Sequence, residues 1–266
     1  MTPNNGLGNL DDLFQSAEAD GLTAASLDLV VSNLNGPTMA GPVGVPLDQL
    51  ATNEVTLAMN IIDMSGSMAP HAADLIRAYN EDYLAAMLGS TASDDILVST
   101  ILFEDKVKLL HGYVNLADAP RLTAKAYDPN GTTALYDAVA GGLTNMVLYA
   151  QQLRQSGVMV RGIIIVYSDG ADNASKQSAR DVRQAALDLL NQEIYTLAYV
   201  GFGVKKPVGF KTNGANPVQP LADEIGFPHA LAAGLDHSEL RRIFHLASLS
   251  AVQVSQGTAV PANLFI

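Results

Sequence analysis

An α/β domain, doubly wound around a mostly parallel central sheet with helices on both faces and one antiparallel edge strand, is the fold this sequence predicts. Three observations lead there. Short, β-branched-rich apolar runs recur along the chain, amphipathic helical patterns alternate with them, and one run follows its predecessor too closely for a crossover helix. Alternation of strand and helix produces a parallel sheet covered on both faces.

Residues 1–52 come first, as an acidic extension expected to be partly ordered. Turn-forming pairs break it at Asn5-Gly6, Gly36-Pro37 and Gly41-Pro42, and again over Gly44 to Pro46. Its apolar run Leu27, Leu29, Val30, Val31 and Leu34 fits a packed helix or a packed strand equally well.

From Val55 the pattern becomes regular. Nearly continuous apolar runs at 55–62, 96–103, 162–167 and 194–200 predict strands buried on both faces. The run at 106–114 begins too soon after its predecessor for a crossover, so it predicts an antiparallel edge hairpin. A helix is expected after Pro70, with Ile76, Tyr79, Tyr83 and Met87 inward. Leu135, Val139, Leu143, Met146, Ala150 and Leu153 define a second, and Val182, Ala186, Leu189 and Leu190 a third over 176–192. Residues 201–217, rich in Gly and Pro and carrying Lys205, Lys206 and Lys211, read as an exposed loop. A short helix over Pro220 to Ile225 and a strand near 228–232 follow it. The last helix starts at Asp236, with capping-box spacing to Glu239 and a stripe of Leu240, Ile243, Phe244 and Ala247.

Charge and composition narrow the function. The 266 residues carry 15 Lys and Arg against 27 Asp and Glu, a formal net charge of −12, which argues against nucleic acid or anionic lipid as partner. Nine acidic residues precede the first basic one, Arg77. No apolar run approaches the roughly 20 residues of a membrane-spanning helix, so no membrane association is expected. The opening residues lack the charged start and apolar core of a secretory signal, and with no cysteine the expected location is cytoplasmic.

Ligands of an open parallel sheet bind outside the carboxyl ends of its strands. Three polar segments fall there: Asp63-Met64-Ser65-Gly66-Ser67-Met68, Asn130-Gly131-Thr132-Thr133, and Ser168-Asp169-Gly170-Ala171-Asp172-Asn173. They offer carboxylates and hydroxyls without Cys or His, a donor set that selects hard cations, Mg²⁺ first and Mn²⁺ or Ca²⁺ after it. Alternate side chains of Asp63-x-Ser65-x-Ser67 point the same way from an extended turn, so one ion can meet all three. Asp137, Asp172 and Asn173 read as capping or supporting groups more readily than as ligands. There is no phosphate-binding loop and no nucleophile elbow around Ser65.

DMSGSM at 63–68, GTTALYDA at 131–138 and IIIVYSDGADN at 163–173 resemble the three pieces of the metal-ion-dependent adhesion site (MIDAS) of the von Willebrand factor type A (vWA) domain family, in matching order and spacing. The resemblance covers residues 53–250, leaving 251–266 as a C-terminal tail. It implies a Rossmann-like vWA fold in which Ser65 and Ser67 bind the metal directly, and Asp63 and Asp169 directly or through water. The family's usual second glycine is Thr132 here, so Thr132 and Thr133 both compete for the remaining position, and Thr133 is favoured because it adjoins Ala134-Leu135-Tyr136-Asp137.

The bacterial intracellular members, which often act with an ATPase, a kinase or a phosphatase, are the nearer type. The resulting expectation is a non-enzymatic, Mg²⁺-dependent protein-interaction module in which an acidic residue of a partner completes the metal's coordination. The alternatives are a metal-dependent phosphohydrolase and a structural subunit with an unused site.

Overall fold

The computed structural model describes residues 10–34, 36, 44–50, 52–203 and 216–257. Six strands form one sheet in the order β3-β2-β1-β4-β5-β6: β1 Glu54–Asp63, β2 Ile96–Phe103, β3 Val107–Asn115, β4 Met159–Ser168, β5 Tyr195–Phe202 and β6 His229–Ala233. All neighbours pair in parallel except β3, which runs antiparallel to β2 at the edge. Chain direction across the sheet reverses at β1, which lies between β2 and β4.

Period-two alternation divides the core. Leu57, Met59 and Ile61 of β1 join one apolar layer, Ala58 and Ile62 the other. On the second face lie α3 (Ala72–Ala78), a π turn (Tyr79–Leu84), α4 (Ala85–Leu88) and α8 (His237–Ser255). The first face carries α5 (Leu135–Gln155) and α6 (Ala179–Leu190), with α7 (Gln219–Glu224) beyond them.

The N-terminal run resolves as helical. Helices α1 (Leu10–Ala19) and α2 (Ala24–Asn33) lie over the outer side of α5, burying Leu13, Ala17, Leu29 and Val30. Without them α5 would expose Val147 and Leu148, which are buried together with its sheet-facing stripe. A third layer therefore covers this side of the sheet.

Element ends differ from expectation for identifiable reasons. Helix α6 begins at Ala179, not near 176, because Ser178 accepts a hydrogen bond from Asp181 N at 3.2 Å and caps it there. The strand ending the third crossover continues through Gly201 and Phe202, both buried, so the following loop starts later than the Gly-rich composition indicated. Asp236 caps α8 by accepting from Ser238 N and Glu239 N. The reciprocal half of the box is replaced, since the Glu239 carboxylate pairs with Arg242 at 2.7 Å. Lys205, Lys206, Lys211 and most of the predicted 201–217 loop lie outside the described residues, as do Asn5-Gly6 and Gly41-Pro42. No helix among the described residues is long and apolar enough to cross a membrane.

Candidate metal centre

The strand order reverses between β1 and β4, and the carboxyl ends at such a reversal are the usual ligand site of these sheets. Asp63 is the last residue of β1 and Ser168 the last of β4. The structure brings Asp63, Ser65, Ser67 and Asp169 together here through hydrogen bonds. Ser65 N donates to Asp63 Oδ1 at 2.7 Å, the Ser65 and Ser67 hydroxyls lie 3.1 Å apart, and Ser67 Oγ donates to Asp169 Oδ1 at 2.9 Å. Asp63 and Ser65 are buried, Ser67 is exposed and Asp169 half-buried.

Thr133 comes in from the neighbouring loop. It is buried, whereas Thr132 is exposed, and a methyl group placed on Gly170 would sit 3.8 Å from Thr133 Oγ1. Main-chain bonds tie this loop to the β1 turn: Asn130 N donates to Met64 O at 3.0 Å and Gly66 N to Gly131 O at 3.2 Å. Gly131 has φ +70°, a left-handed conformation that glycine adopts without the clash a side chain would bring.

The start of α5 lacks a side-chain cap of its own, because Ala134 occupies that position. The loop after β4 instead serves its free N–H groups at Tyr136 and Asp137, together with Thr133 N just ahead of it. Asn173 Oδ1 accepts from Thr133 N at 2.8 Å, Asp172 Oδ1 from Tyr136 N at 3.3 Å, and Ser175 Oγ from Asp137 N at 3.0 Å. In return Asp137 Oδ1 accepts from Lys176 N and Gln177 N. The three residues read as supporting groups thus staple the Thr133 loop to the Asp169 loop.

Two residues of the surroundings escaped the sequence reading. Ser168 Oγ donates to Asp63 Oδ2 at 2.5 Å, and Tyr127 Oη donates to Asp63 O at 2.7 Å. Ser168, the serine that follows the apolar run 162–167, was a readable signal, since it ends a buried strand with a polar side chain as Asp63 does. Tyr127 gave none, since its contact spans 64 positions.

Burial pushes the Asp63 carboxyl above its ordinary range, against the hydrogen bonds from Ser168 and Ser65, and the nearby Asp169 charge adds to the rise. Neither carboxylate has an ion-pair partner among the described residues. The cluster is therefore short of positive charge and composed of hard oxygen donors, both of which fit a divalent cation. Among the described residues no group of three or more His, Cys, Asp and Glu side chains is gathered at metal-binding spacing. Only with the hydroxyls of Ser65, Ser67 and Thr133 does the donor set become large enough.

No family model matches the chain, and no curated protein sequence matches it. Solved structures do. The PilB minor pilin of Streptococcus sanguinis, in a variant form, superposes with a TM-score of 0.51 at 15% identity, covering 79% of this chain and 64% of that one. The pilus adhesin SpaC of Lactobacillus rhamnosus GG, in its open conformation, gives 0.52 at 12% identity over 79% of this chain and 31% of that one. Manganese-loaded TRAP of Plasmodium vivax superposes less closely, at 0.41 and 20% identity over 73% and 74% of the two chains. This chain thus spans under two thirds of the pilin and about a third of the adhesin. The sheet order, the single antiparallel edge and the helical layers define the class: the fold is vWA-like.

Proposed function

We propose that this chain is a protein-interaction module that works through a divalent metal, Mg²⁺ foremost, held by Asp63, Ser65, Ser67, Thr133 and Asp169. One observation carries the reading: at the switch point of the sheet, two carboxylates without an ion-pair partner among the described residues converge with serine hydroxyls. A partner carboxylate would complete the coordination of a cation that these donors leave partly unsatisfied. The names of two of the similar structures, a minor pilin and a pilus adhesin, agree with an interaction role for the fold. A partner such as an ATPase, kinase or phosphatase belongs to the same proposal.

The phosphohydrolase alternative requires cationic groups that stabilise a transferring phosphoryl group. No Lys or Arg occurs in the three segments that form the cluster. The proposal is non-enzymatic for that reason.

Calorimetric titration with MgCl₂ and MnCl₂ tests the reading. One site is expected, absent from the Ser65→Ala/Ser67→Ala double variant, whose circular dichroism should match wild type. An unchanged titration in a folded double variant overturns it.

A further inference from the structure

We propose that Ser168 is a positioning residue of this centre, its hydroxyl fixing the Asp63 carboxylate while the adjacent Asp169 supplies the second carboxylate. The proposal rests on the metal-centre reading above and concerns how its two acidic groups are held.

Ser168 is fully buried and its side chain reaches across from β4 to β1, which pair in parallel through Ile62 and Tyr167. A serine hydroxyl has one proton to give. Asp63 Oδ2 stands at 2.5 Å and Gly170 O at 3.2 Å, with the Tyr199 hydroxyl also beside it. The charged and closer acceptor takes the proton, since hydrogen bonds to carboxylates are shorter and about twice as strong as neutral ones. Gly170 N in turn donates to Ser168 Oγ at 3.3 Å, which orients the hydroxyl toward Asp63. With Ser65 N on Oδ1, both oxygens of Asp63 then have a donor, and the carboxylate cannot swing.

The bracing is reciprocal. Ser67, four residues past Asp63, donates to Asp169 Oδ1, while Ser168, one residue before Asp169, donates to Asp63 Oδ2. Each carboxylate is held by a serine from the other's segment. The spacing of two like charges that would otherwise repel is thereby set by two hydroxyls, in a site where nothing cationic among the described residues opposes the repulsion. Groups that orient metal ligands in this way typically govern affinity as strongly as about 10- to 100-fold.

The experiment is calorimetric titration of the full chain with MgCl₂, and separately with MnCl₂, in wild type and in Ser168→Ala, Ser168→Cys and Ser168→Thr, with thermal melting of each variant without metal. The Ala and Cys variants, one lacking the donor and one offering a weak one at nearly constant size, should bind roughly 10- to 100-fold more weakly. The Thr variant keeps the hydroxyl and should restore wild-type affinity. A wild type that takes up no metal overturns the centre itself, and this proposal with it. If wild type binds and the folded Ala and Cys variants bind equally well, the centre stands and Ser168 has no part in it. Equal weakening in folded Ala and Thr variants, or failure of all three to fold, makes Ser168 a packing residue and overturns the proposal.

Discussion

The carboxylate of Asp188 on α6 accepts a hydrogen bond from the main-chain N–H of Thr23 at 2.8 Å, which places a buried acid of the domain at the start of α2, the second helix of the N-terminal extension, or arm. Thr23 Oγ1 and Ser26 Oγ donate to the same oxygen at 2.7 and 2.6 Å, and Gln184 Nε2 reaches the other at 2.8 Å. Burial acts to raise this carboxyl, but the bonds from Ser26, Thr23 and Gln184 outweigh it and hold it below the usual range. Across the arm, Asp20 pairs with Arg154 at 2.7 Å, so α1 is anchored to α5 as α2 is to α6.

A depressed carboxyl contributes stability that is fully present above its unfolded pKa and is lost as pH falls through the folded value. Hydrogen exchange of α1 and α2 amides should therefore stay slow down to the ordinary aspartate range and accelerate only below it. Replacing Asp188 with Asn should cost about 1.5–3 kcal/mol, the worth of hydrogen bonds to a charged group, and flatten that acid dependence. An arm that opens at the same pH in wild type and variant would show that some other group holds it.

Asp63 has the opposite sign. Its carboxyl is raised by burial, so without metal the ionised group weakens the fold as pH rises through its pKa. Metal-free Asp63→Asn, which keeps the shape and still accepts from Ser65 N, should melt no lower than wild type at neutral pH. Adding Mg²⁺ at 100 times its Kd should stabilise wild type by about 2.7 kcal/mol, or roughly 5–10 °C for a chain of this size. The variant should not respond, and EDTA should return wild type to its metal-free melting point. A variant that gains as much as wild type would place the ion elsewhere.

Most of the sheet was legible because it is made of consecutive local signals. The runs 55–62 and 96–103 are apolar at nearly every position, and strands buried on both faces need no partner information to be recognised. The same holds for the cluster of carboxylates and hydroxyls proposed to hold a metal, whose members fall in three short segments at strand ends. What the sequence left open depends on distant packing. The arm's run at 27–34 is compatible with helix or strand until α5 is known to need a second cover, and that need was written in Val147 and Leu148 on the side of α5 away from the sheet. Ser168 and Tyr127 become supports of Asp63 only through contacts across 105 and 64 positions.

The borrowed cap of α5 makes a separate prediction. Asn173 serves Thr133 N, and its own N–H donates to Thr133 O at 3.0 Å, so the two residues are joined twice. Asn173→Ala removes the side-chain half. Losing that hydrogen bond costs about 0.5–1.5 kcal/mol, and amide exchange at Thr133 should rise ahead of that in α5, whose Tyr136 and Asp137 amides are held by Asp172 and Ser175. Uniform acceleration along the whole helix would mean that the cap secures global stability and not this loop.

Gly131 ties the Thr133 loop to the β1 turn, and substituting it separates local geometry from overall stability. At φ +70° an alanine is strained by about 1–2 kcal/mol. Its methyl would also lie 3.1 Å from Glu104 Oε2, a buried oxygen with no hydrogen-bond partner among the described residues, and 3.5 Å from Asp105 Oδ1. The loop must shift to relieve that contact, and the bond from Gly66 N to Gly131 O carries the shift into the Ser65–Ser67 turn. Gly157, with φ +84° and open space around it at the far end of α5, carries the same backbone penalty without these neighbours. Both Gly131→Ala and Gly157→Ala should therefore lower the melting temperature by similar amounts, while only the first weakens Mg²⁺ binding in calorimetry. Gly131→Asn should recover part of the lost stability, because asparagine tolerates the left-handed region better than alanine. Equal metal affinity in Gly131→Ala and Gly157→Ala would detach this loop, and Thr133 with it, from the metal centre.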